Sequence, residues 1–294
     1  MNNSQTPAKN QWYLFSGWVI LSLLLFLRPI LALLRLSLAQ DDSSYLVIIP
    51  LISGALLYLK RNEIPQCASG DKMLSGIFLL LAAAIALPSY YAAGKGLGMQ
   101  LSGSILALAL VWIAGFAFFF GKAALRAAYF PFLFLLLMVP IPNSLLDRII
   151  LLLQQGSAWI TGVLFDIVGV PVLREGLVFH LAKVSIEVAK ECSGIRSSMA
   201  LFIVALLVAH FSLRNFWNKV FFVAFGLFLM ILKNGVRIAT LTLLAVYVNP
   251  DFLFGRLHHQ GGVVFFVLAL LLLLPLLFFL QRNEAKRGIV AQSS

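Results

Sequence analysis

The run Val263–Leu280 contains no charged or hydrogen-bonding side chain. Wound as a helix at about 1.5 Å per residue, roughly 20 such residues cross the ~30 Å hydrocarbon layer of a bilayer. Apolar runs recur along all 294 residues, of which 61% are hydrophobic and 11% charged, whereas a soluble domain carries about 25% charged residues. No water-soluble fold could hide that much apolar surface, so length here counts helices. The runs predict an all-α fold, a polytopic transmembrane bundle of about eight spans forming one domain over 1–294. The spans fall at 12–34, 45–59, 74–91, 102–120, 128–141, 195–213, 220–248 and 262–280. The first follows Lys9 and is succeeded by Ser37-Leu38-Ala39, a small-x-small pattern like a cleavage site. Its apolar stretch is much longer than the core of a signal peptide, and it reads as a retained span.

Lys and Arg number 22 against 11 Asp and Glu, a formal charge of +11. The basic residues sit in short clusters between apolar runs, which is a topology signal and not a nucleic-acid footprint. Lys9, Lys60-Arg61 with Lys72, Lys122 with Arg126, Arg214 with Lys219, and Arg282 with Lys286-Arg287 occupy one set of alternating connections. The positive-inside rule assigns that side, with both termini, to the cytoplasm. The opposite side receives Asp41-Asp42, the turn from Tyr90 to Gly98, the segment from Pro142 to Cys192 and the loop from Asn249 to Gly261. The two cysteines, Cys67 and Cys192, then face opposite compartments, which argues against a disulfide between them.

The segment 142–192 is more than a linker. Leu146, Ile149, Ile150, Leu153, Ile160, Val163, Leu164 and Ile167 recur at helical spacing, with Asp147, Gln154 and Thr161 on another face. This predicts one or two amphipathic helices lying in the interface. Beyond them, Leu177, Phe179 and Leu181, then Val184, Ile186 and Val188, alternate with other residues as a short β-hairpin does. The hairpin leads into Glu191-Cys192-Ser193-Gly194-Ile195-Arg196 at the outer start of the sixth span.

Ionisable residues inside a membrane are costly and mark functional sites by default. Arg237 lies 17 residues beyond Val220, about 26 Å along a helix and therefore in the outer leaflet. Asn234, three residues earlier, shares its helix face, and Gly235 between them permits either close packing or a local break. His258 and His259 lie in the outer loop before the last span. Cysteine, histidine and arginine on one side suit attack on a peptide carbonyl. A thiolate is the nucleophile, and near lipid it needs adjacent positive charge to persist. Arg237, Arg196 or a protonated His258 could supply that charge. An imidazole serves as acid and base, and a guanidinium can stabilise the oxyanion. Backbone N–H groups around Ser193 and Gly194, near a helix start, favour both anions.

Three stretches carry a family resemblance: Glu191-Cys192-Ser193-Gly194-Ile195-Arg196-Ser197, Asn234-Gly235-Val236-Arg237-Ile238, and His258 followed four residues later by Gly262. In that order, after a long outer segment, they resemble the three signatures of exosortases. The resemblance covers most of the chain and implies a membrane cysteine protease and transpeptidase of the bacterial inner membrane. It implies as substrates exported proteins ending in a Pro-Glu-Pro-like motif, one transmembrane helix and a basic tail, in cells making extracellular polysaccharide. Carried over by motif, Cys192 is the nucleophile, Arg237 the transition-state stabiliser and His258 the general acid/base. Glu191, Ser193, Gly194, Arg196, Asn234 and His259 would support them. No cofactor or metal is implied, and the partners are the tail-bearing proteins and membrane lipids, with no nucleic acid. Archaeosortases share the architecture, and some use another arginine where exosortases have the histidine.

Bland readings compete. Cysteine is often a small buried hydrophobe, Arg237 could snorkel to the interface, and the two histidines could be ordinary loop residues. Arg28, His180 and His210 read as structural. At the level of function, a transporter could bind an anionic substrate at Arg237, although that leaves the Cys192 motif without a role. A non-catalytic subunit of a polysaccharide export system would tolerate loss of Cys192.

Overall fold

The structure, a computed structural model, describes residues 6–64, 70–91, 97–181, 184–190, 194–253 and 262–292. It is overwhelmingly helical, as the apolar runs dictate, because a backbone in lipid must satisfy its own hydrogen bonds. Among the described residues seven helices are long and apolar enough to cross a bilayer, or eight if one bent pair counts as a span, and the chain is a multi-span membrane protein. The described residues divide into two compact units, Met1–Leu145 and Leu146–Ser294.

The first unit opens with α1 (Thr6–Leu25) and α2 (Leu27–Ala39). What the sequence presents as one span is bent by 77° between them. Pro29 is the cause: it has no N–H to offer the Leu25 carbonyl, and its ring crowds that carbonyl. A 3-10 turn (Asp41–Val47) then leads into α3 (Ile48–Leu59), followed by α4 (Lys72–Tyr91) and α5 (Leu97–Ala127). Only 11% of the span in α4 is buried, so most of its surface is left uncovered. Helix α1 packs on α5 through indoles that find backbone or hydroxyl partners, Trp18 Nε1 donating to the Val111 carbonyl at 2.9 Å and Trp112 Nε1 to Ser22 Oγ at 2.7 Å. At Gly121 the φ of 81° breaks the regular helix.

The expected fifth span, 128–141, is not a full helix. Tyr129–Met138 is helical, as α6 (Tyr129–Leu135) and a 3-10 turn, and is too short to span alone. Val139 is extended. Extended residues advance more than twice as far as helical ones, so this mixed stretch still returns the chain to the start of α5. Ser102 Oγ there donates to the Pro140 carbonyl at 2.6 Å, and Asn143 lies beside Gly98.

The second unit contains most of α7 (Asn143–Val168), then β1 (Leu173–Glu175), β2 (Val178–His180), β3 (Ser185–Glu187), α8 (Ile195–Ser212), α9 (Phe216–Tyr247), a 3-10 turn (Pro250–Leu253) and α10 (Gly262–Gln292). Helices α8, α9 and α10 pack around Leu201, Ala205, Phe222, Leu229, Ala269 and Leu273. The segment expected as one or two interfacial helices is a single 26-residue helix, α7, with length and apolarity enough to span.

The alternating residues do form the hairpin: β2 and β3 pair antiparallel, Phe179 opposite Ile186. The sequence reading missed β1, which pairs antiparallel with β2. The sheet seals itself by burying Phe179 against Phe165 of α7, with Val188, Ile238 and Ala239 in the same cluster. Beyond β3 the chain runs back along α7. Gln154 Nε2 donates to the Val188 carbonyl at 2.6 Å, and Lys190 reaches Asp147 at 2.8 Å.

Candidate active site

The polar residues singled out in the sequence converge where α8 begins and α9 passes it. Helix α8 starts at Ile195 with Gly194 as its N-cap, at φ +68°. That left-handed conformation suits glycine, which lacks a Cβ. Glycine also has no side chain to cap the helix, so the positive end of an 18-residue helix, α8, carries no side-chain cap. The expectation of a helix start just after Ser193 holds.

Space is the second reason for glycine. A Cβ at Gly194 would stand 2.9 Å from Asn234 Oδ1, 3.2 Å from its Cγ and 3.7 Å from Lys233 Nζ. The structure therefore brings together two of the predicted residues, Gly194 and Asn234. Asn234 is 2% exposed, and its Nδ2 donates to Ser157 Oγ of α7 at 3.0 Å. Next to it, a Cβ on Gly235 would lie 2.5 Å from Ile160 Cγ2 and 3.1 Å from the Ser157 carbonyl oxygen. Of the two readings of Gly235, close packing is the one realised, and α9 continues as helix through it. The Thr161 hydroxyl, fully buried, donates to the Ser157 carbonyl at 2.8 Å and lies 3.2 Å from the Gly235 carbonyl oxygen. Small and hydroxylated residues thus let α7 and α9 touch at backbone distance, a packing mode that suits a membrane interior.

Arg237 stands one helical turn beyond Lys233 and Asn234 and is half-buried. Arg196, the second residue of α8, is exposed. Glu191, Cys192, Ser193, His258 and His259 lie outside the described residues.

Lys233, Ser157 and Thr161 were not singled out as site residues in the sequence. Lys233 is 8% exposed, and its Nζ donates to Ser197 Oγ at 2.5 Å. Ser197 in turn donates to the Gly194 carbonyl at 3.1 Å. The rule that marked Arg237, that an ionisable group inside an apolar span is functional by default, applies equally to Lys233. Its position beside the conspicuous Asn-Gly-Val-Arg sequence masked it. Ser157 and Thr161 carry no comparable signal, since isolated hydroxyls are common in membrane helices.

Comparison with known proteins gives one result. A family model described as transmembrane exosortase (Exosortase_EpsH) matches residues 37–275. No curated protein and no solved structure matches.

Proposed function

Because the chain belongs to the transmembrane exosortase family, we propose that it is a membrane cysteine peptidase and transpeptidase that removes the C-terminal sorting tail of exported proteins. The observation that carries the reading is the packing of Gly194, two residues after Cys192, against the Asn234 face of α9, with Arg237 one turn away. The three motifs are far apart in sequence, and this contact joins two of them.

In the proposed reaction the Cys192 thiolate attacks the carbonyl carbon of the scissile peptide bond. The negative charge moves to the carbonyl oxygen, where the Arg237 guanidinium and the N–H groups opening α8 stabilise it. Collapse breaks the C–N bond. The departing amine takes a proton from the His258 imidazolium, leaving a thioester on Cys192. Water or an amine then attacks the thioester, His258 accepts its proton, and the thiolate leaves. Glu191 and His259 lie beside these groups in sequence as candidates for orienting the histidine or the substrate.

The setting follows from the distribution of charge in the connections. With the Lys/Arg-rich loops and both termini in the cytoplasm, the site faces the outer side of the bacterial inner membrane. A tail that ends in a transmembrane helix and a basic segment would be anchored with its scissile bond at that level. Production of extracellular polysaccharide or biofilm is the cellular context of this reading.

The test is Cys192→Ala expressed in cells with a tail-bearing protein. Full-length, membrane-anchored substrate is expected. Normal processing in that variant would exclude the peptidase and favour a transporter or a non-catalytic export subunit.

A further inference from the structure

Lys233 is a charged group that the proposed reaction leaves without a role, and its surroundings are unusual. The side chain is 92% buried, since 8% is exposed. A buried ammonium is costly unless an anion balances it. Among the described residues no carboxylate forms an ion pair with Lys233. Its hydrogen-bond partner is the neutral Ser197 hydroxyl. The nearest charge along α9 is Arg237, four residues on and of the same sign, an arrangement that weakens a helix. The remaining charges on the neighbouring helices are Arg196 at the start of α8 and, on α7, Arg148, Asp166 and Asp147, the last paired with Lys190.

The direction of the hydrogen bonds defines what Lys233 can do. A serine hydroxyl has one proton, and that of Ser197 goes to the Gly194 carbonyl. Ser197 therefore receives from Lys233, which acts as the donor and not as a base drawing a proton from serine. The ammonium thus sits beside the backbone of Gly194, 3.7 Å from where a Cβ would stand. Two peptide units separate that residue from Cys192, and they span at most about 7.5 Å.

We infer that Lys233 is a positioning residue of the site: its buried ammonium, with the positive end of α8, holds Cys192 as the thiolate, while its bond to Ser197 fixes the turn at Gly194. This rests on the reading of Cys192 as nucleophile. The chemistry is a matter of field: a unit charge about 10 Å away at an effective dielectric of about 20 changes an acid's ionisation constant roughly tenfold. An ordinary thiol, with a pKa of about 8.5, is largely protonated at neutral pH, so that factor passes directly into the amount of nucleophile.

The experiment follows alkylation of Cys192 by iodoacetamide across pH 5–10 in a Cys67→Ser background, with Cys192→Ala as the blank. Lys233→Met and Lys233→Gln should move the half-maximal pH up by about one unit, lower alkylation at neutral pH about tenfold, and slow processing by a similar factor. Lys233→Arg, which keeps the charge, should restore most of both. Gln keeps a donor to Ser197 and Met keeps the volume, so at least one neutral variant is expected to retain the parent's thermal unfolding. An unshifted profile in either folded neutral variant, or failure of both to fold while Lys233→Arg folds with the profile of an ordinary thiol, overturns the inference and leaves the peptidase reading standing. Processing that survives Cys192→Ala but not Ser197→Ala overturns both, and identifies a serine nucleophile instead.

Discussion

Gly235→Ala isolates the contact on which the site's geometry depends. In an ordinary helix interior this change is favourable by about 0.5–1 kcal/mol, because glycine has more conformational freedom to lose. At Gly235 the new Cβ would stand 2.5 Å from Ile160 Cγ2, 2.6 Å from Ile160 Cβ and 3.1 Å from the Ser157 carbonyl oxygen. A different rotamer of Ile160 relieves only the first of these. The second involves an atom fixed to the backbone and the third is backbone itself, so α7 and α9 must separate. Overpacking of this kind costs typically 1–3 kcal/mol, and the geometry argues for the upper part of that range. The net expectation is a loss of about 1–2 kcal/mol after the helix-propensity gain. Gly162→Ala is the control: it lies two residues from Ile160 on the same helix, and its Cβ would meet only Phe179 Cε1 at 3.9 Å, an ordinary contact. Denaturant titration of the purified protein in one detergent should show Gly162→Ala at or above the parent and Gly235→Ala clearly below it. If Gly235→Ala equals or exceeds Gly162→Ala, the close approach of α7 and α9 is wrong, and with it the position of Asn234.

Other expectations are simpler. Gly194→Ala places a Cβ at φ +68° and 2.9 Å from Asn234 Oδ1; the left-handed conformation alone costs about 1–2 kcal/mol, and processing should fall roughly tenfold or more, measured as cleaved product against time. Asn234→Ala removes the donor to the fully buried Ser157 hydroxyl and should cost about 1–3 kcal/mol in the same denaturant titration. Lys190→Ala breaks an ion pair whose side chains are 57% and 60% exposed, and should change stability by less than about 1 kcal/mol, so its unfolding midpoint should match the parent's.

The helical, multi-span class was legible because apolar runs in lipid have one regular outcome. The hairpin was legible too, since Phe179 and Ile186 repeat with the period of a pleated strand. Two departures have local causes that act on geometry and not on hydropathy. Pro29 breaks the first run at Phe26 without making it less apolar, and the extended Val139 lets a short helix do the work of a long one. Strand β1 was missed because Leu173, Arg174 and Glu175 are all exposed, leaving no alternation to read. At the candidate site, Asn234 and Gly194, which lie together, were singled out through their motifs. Lys233 was hidden by the same motif, and Ser157 and Thr161 matter only because of which helix happens to lie against them. No pattern within α7 announces its partner.

The return of the chain along α7 has a consequence for the two described flanks of residues 191–193. Before Cys192, Val188 and Lys190 are tied to Gln154 and Asp147; after it, Gly194 is wedged against Asn234, itself tied to Ser157. Both tethers end on one helix. That helix serves as a ruler, graduated in side chains, against which the flanks on either side of residues 191–193 and the cation-bearing face of α9 are both measured. A thicker or thinner bilayer would tilt or immerse the whole assembly without altering the reading on that scale.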